Sequence, residues 1–378
     1  MNEAKGETLC SPAMHPTYFE RITQKLKIPV WIAALTICAV MGIAFVVSNI
    51  AAGLPVLEHF TVISAELISV VLATILMMEV RDRTLAAYRA LLPALDREQL
   101  DKFSTLLKGI FDQRRSLVFG ALVGAGGIIH HVVLSYAIWG RIWWYSAVDI
   151  ILIGFVWWFV TANFFWTCVS VAGYSFHASR SLHLTPRLLS HKRMCGLESF
   201  GTLSIVPSVA WALVATFGTF STFDPAAVKN FPQLVMAYAG FDFLIVASSM
   251  TAIFFLPVLG YRSIVLPAKR KWSARIDELI RQAGGVDALH STTVESEVAL
   301  RNLYLLALSS QVRQIKEWPL GLGASIRFLL SYVIPAAGFI ARLILYAMGA
   351  QIPLLAFRTR MALAVHASAA CGLKPSMG

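Results

Sequence analysis

The sequence predicts an all-α, polytopic membrane protein of about seven transmembrane helices, with its N-terminus in the cytoplasm. Three observations carry this. The stretch Ile28–Gly53 runs 26 residues without a charged side chain, enough to cross a hydrocarbon core of about 30 Å with room for tilt. The whole chain is 57% hydrophobic and only 14% charged, where a soluble domain carries roughly 25% charged residues. Lysine and arginine are also unevenly placed. The N-terminus and the links after spans 2, 4 and 6 hold 25 of them, and the links after spans 1, 3 and 5 hold two. The positive-inside rule produces that asymmetry and puts the N-terminus inside.

Residues 1–27 form a polar cytoplasmic segment, closed by Lys25 and Lys27. The apolar run that follows is too long for a signal-peptide core and no small-residue cleavage site ends it, so it reads as span 1. A six-span bundle covers 28–260. Span 2 is Thr61–Met78. The basic segment 79–115 then repeats Leu100, Phe103, Leu107 and Ile110 at helical spacing, with Pro93 at a corner and Asp96 placed to cap the start. This predicts that spans 2 and 3 continue past the membrane as a helical hairpin. Span 3, Ser116–Trp139, carries Gly120, Gly124 and Gly127, spaced for close helix approach within the bundle or between subunits. Trp139, Trp143, Trp144 and Tyr145 make an interfacial belt.

Spans 4, 5 and 6 are Tyr145–Cys168, Ser199–Phe220 and Gln233–Leu259. Segment 261–323 predicts two cytoplasmic helices. Lys269–Gln282 is basic and amphipathic, ends at Gly284-Gly285, and its Lys269–Lys271 run with Trp272 suits the anionic inner leaflet. Val294, Val298, Leu305, Leu308, Val312 and Ile315 follow a short heptad up to Trp318-Pro319. Fewer than three clean heptads favour packing within a membrane-proximal cap over a coiled coil between subunits. Residues 324–378 hold span 7, Ser325–Tyr346, and a tail. Arg327, Arg342 and Pro335 within span 7 leave two readings, a crossing or a re-entrant helix, and the crossing is preferred.

Ionisable groups inside spans are costly, and each is a functional candidate. In the predicted topology Glu66, Asp149 and Asp242 come early in outside-to-inside spans. His130, His131 and Arg342 come late in spans running the other way. All therefore fall in the outer half with Asn49, which suggests one polar site open to the outside. Asp149, close to the aromatic belt, is also placed to snorkel to the interface. Arg327 and Arg342 would favour anions if they line a path. Pro207, Pro257 and Pro335 can kink spans 5, 6 and 7.

Several classes are set aside. Five cysteines without metal-ligand spacing make no disulfide framework or zinc site. Adjacent histidines point about 100° apart on a helix, which argues against shared metal or haem ligation. No Walker A sequence or glycine-rich dinucleotide turn is present. The reading is a cell-membrane protein, in a bacterial setting an inner-membrane one, without enzymatic activity or a cofactor. Its expected partners are the lipid bilayer, copies of itself and a small ion or solute, with no nucleic acid. An oligomeric, anion-leaning ion channel is placed slightly ahead of a proton-coupled transporter, and a membrane sensor or scaffold binding a cytoplasmic partner comes third.

Overall fold

A lipid-facing segment has no water to satisfy its amide groups, so the apolar runs must close their hydrogen bonds internally, as helices. The computed structural model of the chain describes residues 23–52, 56–95, 97–139, 150–182, 184, 186, 194–220, 232–282 and 296–319, together with 325, 326, 328–330, 332, 333, 336, 337, 340 and 344. These residues are helical almost throughout and contain no strand. Helix α1 is Val30–Ala52 and α2 is Val56–Leu91. The short α3 is Leu100–Ile110, and α4 is Gln113–Trp139. A π-helical turn, Ile150–Phe155, runs directly into α5, Val156–Ser181. Helix α6 is Ser199–Phe220, α7 is Pro232–Gln282 and α8 is Ser296–Arg313. Six helical stretches among the described residues are long and apolar enough to cross a membrane.

The centre of the bundle is α6, packed between α2, α5 and α7. Its Ala212, Val214 and Leu203 are buried against a core that also takes Val80 from α2, Phe164 and Cys168 from α5, and Met250 and Ile253 from α7. Helix α1 lies outside α2, α4 lies outside α5, and α8 packs on α7. The outer helices keep apolar faces exposed: Leu35, Ile43, Val47 and Ile50 on α1, and Leu122, Ile129 and Val133 on α4. In water such faces would be liabilities; against acyl chains they are the matching surface.

Small residues and hydroxyls hold the interior together where apolar burial against lipid contributes little. Tyr88 and Ser175 share a hydrogen bond of 3.1 Å between α2 and α5. The Trp211 indole donates to Ser249 at 2.9 Å, joining α6 to α7. Pro257 removes one amide donor from α7, and Ser204 of α6 donates to the nearby Phe254 carbonyl at 2.8 Å. A neighbouring helix thus satisfies a carbonyl in the turn that the proline disturbs.

The segment between spans 2 and 3 folds as a separate helix beneath the bundle. Pro93 sits in a 3₁₀ turn, Leu92–Ala94, and a second such turn, Arg97–Gln99, leads into α3. Phe103, Leu107 and Ile110 are buried. The residue capping α3 is Gln99, with no side-chain bond, in place of the expected Asp96; Asp96 itself lies outside the described residues. The intervening 3₁₀ turn moves the helix start three residues on.

The expected break between span 6 and the basic helix is absent, for α7 runs unbroken over 51 residues. Pro267 removes one helix bond, but Tyr261, Val265 and Ile276 on either side are buried in the core. That packing holds the backbone in line across the proline. Within α8, Leu305 and the buried Asn302 face inward, and Val312 and Ile315 continue that face past the helix end. Of span 7, Phe328 and Tyr332 contact α7: Phe328 stacks on Phe254, and the Tyr332 hydroxyl meets Thr251 and the Ala247 carbonyl.

Candidate functional site

Helices α4 and α5 approach closely because α4 presents glycine to the largest side chains of α5. A Cβ at Gly127 would overlap the Trp158 ring, and one at Gly120 would overlap the Asn163 amide. At Gly124 it would lie 2.8 Å from the Phe155 ring. All three face α5 of the same chain. This tight seam carries His130 to the Trp158 indole, centroid to centroid 6.0 Å. From the other side Tyr238 of α7 stacks on the imidazole, 5.3 Å away and tilted by 17°. Asp242 lies one helical turn beyond Tyr238 and is half-buried. Thus α4, α5 and α7 together place an imidazole, a phenol and a carboxylate in one region.

His131 faces elsewhere. It packs against Gly154 in the π-helical turn, where a Cβ would lie 2.8 Å from its ring. Its Nε2 is buried and has no hydrogen-bond partner among the described residues. The two imidazoles stand edge to face at 5.5 Å and 85°.

Glu66 of α2 is buried. Adjacent tryptophans of α5 divide the two regions. Trp157 donates to Ser69 of α2 at 2.5 Å, on the Glu66 side, while Trp158 meets His130. Asn49 is buried and returns its amide to the Phe45 carbonyl of its own helix at 2.8 Å. The structure therefore joins His130 with Tyr238, one turn from Asp242, and buries Glu66 on α2. Asp149, Arg327 and Arg342 lie outside the described residues. Among the described residues no group of histidine, cysteine and acidic side chains could hold a metal ion.

Two features went unread in the sequence. The first is a closed corner before α6. Cys195 and Gly196 both take left-handed backbone angles, φ 59° and 77°, the region glycine enters at no steric cost. Burial pushes the Cys195 thiol up to about 11, Glu198 adds to this, and Lys269 partly offsets it. The second is a partly open cavity between α2, the α3–α4 corner and α5. Arg81 lines it and is only 4% exposed. Its charge had counted simply as one of a basic link; no periodicity distinguishes a buried arginine from its exposed neighbours.

Comparison with protein-family models, with curated proteins and with solved structures finds no match for this chain. The evidence for its class is therefore internal: six long apolar helices, lipid-type outer faces and a core knit by small residues and hydroxyls. On that evidence the chain is a multi-pass helical membrane protein.

Proposed function

We propose that the chain is a proton-coupled secondary transporter, with His130 and Asp242 as the groups that take up and release the proton. One observation carries the reading: His130 of α4 stacks on Tyr238 of α7, one turn from Asp242. A carboxylate and an imidazole on separate helices can exchange a proton between them, and their affinities change when the helices move apart. A proline within α7 supports the reading, since it marks where the helix could bend. Pro257 interrupts its hydrogen bonding, and Ser204 covers the Phe254 carbonyl from outside the helix. The channel reading rested on the arginine-bearing span 7, the span 3 glycines and the cytoplasmic helices; the glycines pack on Phe155, Trp158 and Asn163 of the same chain, which takes away their support for a contact between subunits, and the transporter is preferred.

The test is reconstitution. Proteoliposomes with a trapped pH dye would be offered pools of small solutes under an imposed proton gradient, and parallel planar bilayers would be recorded under a salt gradient. The expected result is lumenal pH change that depends on one solute pool, with no unitary current steps. Asp242→Asn should abolish the solute-linked proton movement and leave the folded protein intact. Discrete openings passing many ions each, from folded wild-type protein, would sink the transporter reading and restore the channel.

A further inference from the structure

We infer that the partly open cavity between α2, the α3–α4 corner and α5 is a resident lipid site, which takes one acyl chain of a bilayer phospholipid. It is distinct from the His130 region, since Leu117 and His130 are 13 residues apart on α4, about 20 Å along the helix axis.

The helix arrangement makes the space. Among the described residues α2 and α4 each pack closely on α5, and not closely on each other. A crevice is left between them. Its floor is α5, through Phe159, Val160 and Trp166, and its walls are Met77 of α2 and Leu117 of α4. Phe111 at the α3–α4 corner closes one end. No residue of the central helix α6 lines it, so the crevice sits at the periphery of the bundle.

The polar groups on the lining are answered within the protein. Thr74 and Thr167 donate to the Val70 and Asn163 carbonyls at 2.8 and 2.9 Å. Asn163 gives its amide to the Phe159 carbonyl at 2.7 Å and accepts from Ser116 at 2.6 Å. Asp112 is met by Arg115 at 3.2 Å and by the Arg114 amide at 3.0 Å. Arg81 is likewise engaged within the protein, and its guanidinium lies 6.0 Å from the centre of the Phe111 ring. What the lining offers a ligand is therefore hydrocarbon and aromatic surface, which suits an apolar chain.

The crevice lies at a depth that such a chain reaches. Thr74 and Met77 belong to the apolar part of α2, and Asp112 to the charged corner. Arg114 and Arg115, beside that corner, are exposed and mark where headgroups begin. On the same helix Val118 and Leu122 are 55% and 69% exposed. The lipid-facing surface of α4 thus begins one residue from Leu117 and is continuous with the crevice. Helices in a bilayer associate by packing contact rather than by escape from water, and an unfilled crevice forfeits dispersion contacts along its walls. A flexible acyl chain supplies those contacts while its headgroup stays at the interface beside the exposed arginines.

The experiment uses the full chain in phosphatidylcholine nanodiscs doped with a phosphatidylcholine probe whose acyl chain carries a photoreactive diazirine. Half the sample is irradiated in the nanodisc. The other half is first extracted into detergent and washed free of unbound lipid. Crosslinks are mapped by mass spectrometry. Before washing, label should fall on crevice peptides holding residues 74–81 and 159–167 and on the exposed faces of α1 and α4. After washing, the outer-face label should drop at least tenfold, and the crevice label should fall by less than about twofold. Leu117→Trp fills the crevice and should lower the washed label there about tenfold. Its unwashed outer-face label should match that of the wild-type chain, which shows that the variant is folded. Equal loss of both labels from the wild-type chain on washing overturns the inference, as does crevice labelling in folded Leu117→Trp equal to that of the wild-type chain. Absence of crevice label before washing also overturns it, and assigns the space to a segment of the protein or to a partner. Neither readout depends on the transport assay.

Discussion

At the scale of single residues, Gly127 is a tightly constrained position. A Cβ there would overlap Trp158 at its ring and also at its own Cβ, which no rotation can move away. Gly126, one position earlier, has open space around it. Gly127→Ala should therefore destabilise the protein by about 1–3 kcal/mol, the usual cost of overpacking. Gly126→Ala should be neutral or slightly stabilising, since alanine is the better helix former. Thermal unfolding in detergent distinguishes them, and equal melting temperatures would refute the α4–α5 seam. Cys195 supplies a pH prediction. Its thiol is raised from 9.0 to about 11, so the folded protein holds this proton more tightly than the unfolded chain. The contribution is complete below pH 9 and is lost as pH climbs from there toward 11. Cys195→Ala should flatten that alkaline loss. The same scale shows what a sequence hides. Glycine at spacings of four and three residues announces a close helix contact, and span 3 displayed it. Whether an arginine such as Arg81 points to solvent or into a cavity depends on helices far away in the chain.

Among the elements, those set by local pattern were the legible ones. Span 5 was expected at Ser199–Phe220, and α6 has those bounds. The repeat of Phe103, Leu107 and Ile110 marked α3 correctly, because one buried face at helical period needs no partner to be recognised. Continuity was harder to read. Span 6, Gln233–Leu259, and the basic stretch Lys269–Gln282 read as two helices in the sequence, yet α7 continues to Gln282 because its inner half is anchored sideways. The anchors are specific. The Tyr261 hydroxyl donates to the Lys316 carbonyl at 2.7 Å, and Lys269 reaches the Ile315 carbonyl and Glu317 at 3.2 Å each. Arg262 lies over the Trp318 ring at 5.2 Å. Together they strap the chain after α8 onto α7. Tyr261→Phe with Lys269→Met should speed amide hydrogen exchange across residues 312–319 by tenfold or more and leave α6 unchanged. A protected strap in that double variant would show that apolar packing of Val312 and Ile315 suffices. Ser204→Ala is a milder test of the bond from α6 to the Phe254 carbonyl of α7, with an expected loss of about 1 kcal/mol for one buried hydrogen bond.

For the whole molecule, the open question of greatest consequence is which end faces the cytoplasm, because it decides the side from which each site is reached. Helix bounds do not carry that information, since a bundle packs equally well either way up; the charges do. Arg81, Lys102, Lys108, Arg114 and Arg115 cluster at one end of α2, α3 and α4, while the links after spans 1, 3 and 5 hold two basic residues between them. Moving those clusters across a bilayer during insertion would be costly, and the cytoplasmic leaflet attracts them. In that orientation the Arg81 cavity lies at the inner end of the bundle and the His130 region lies in the outer half. Single-cysteine labelling tests this directly. The three cysteines among the described residues are buried, and Cys10 and Cys371 would be replaced by serine. Lys102→Cys, on an exposed face of α3, should react with an impermeant maleimide only after cells are opened. Lys229→Cys, in the link after span 5, should react from outside in intact cells. The reverse pattern would invert the molecule. His130 and Asp242 would then take up protons on the cytoplasmic side.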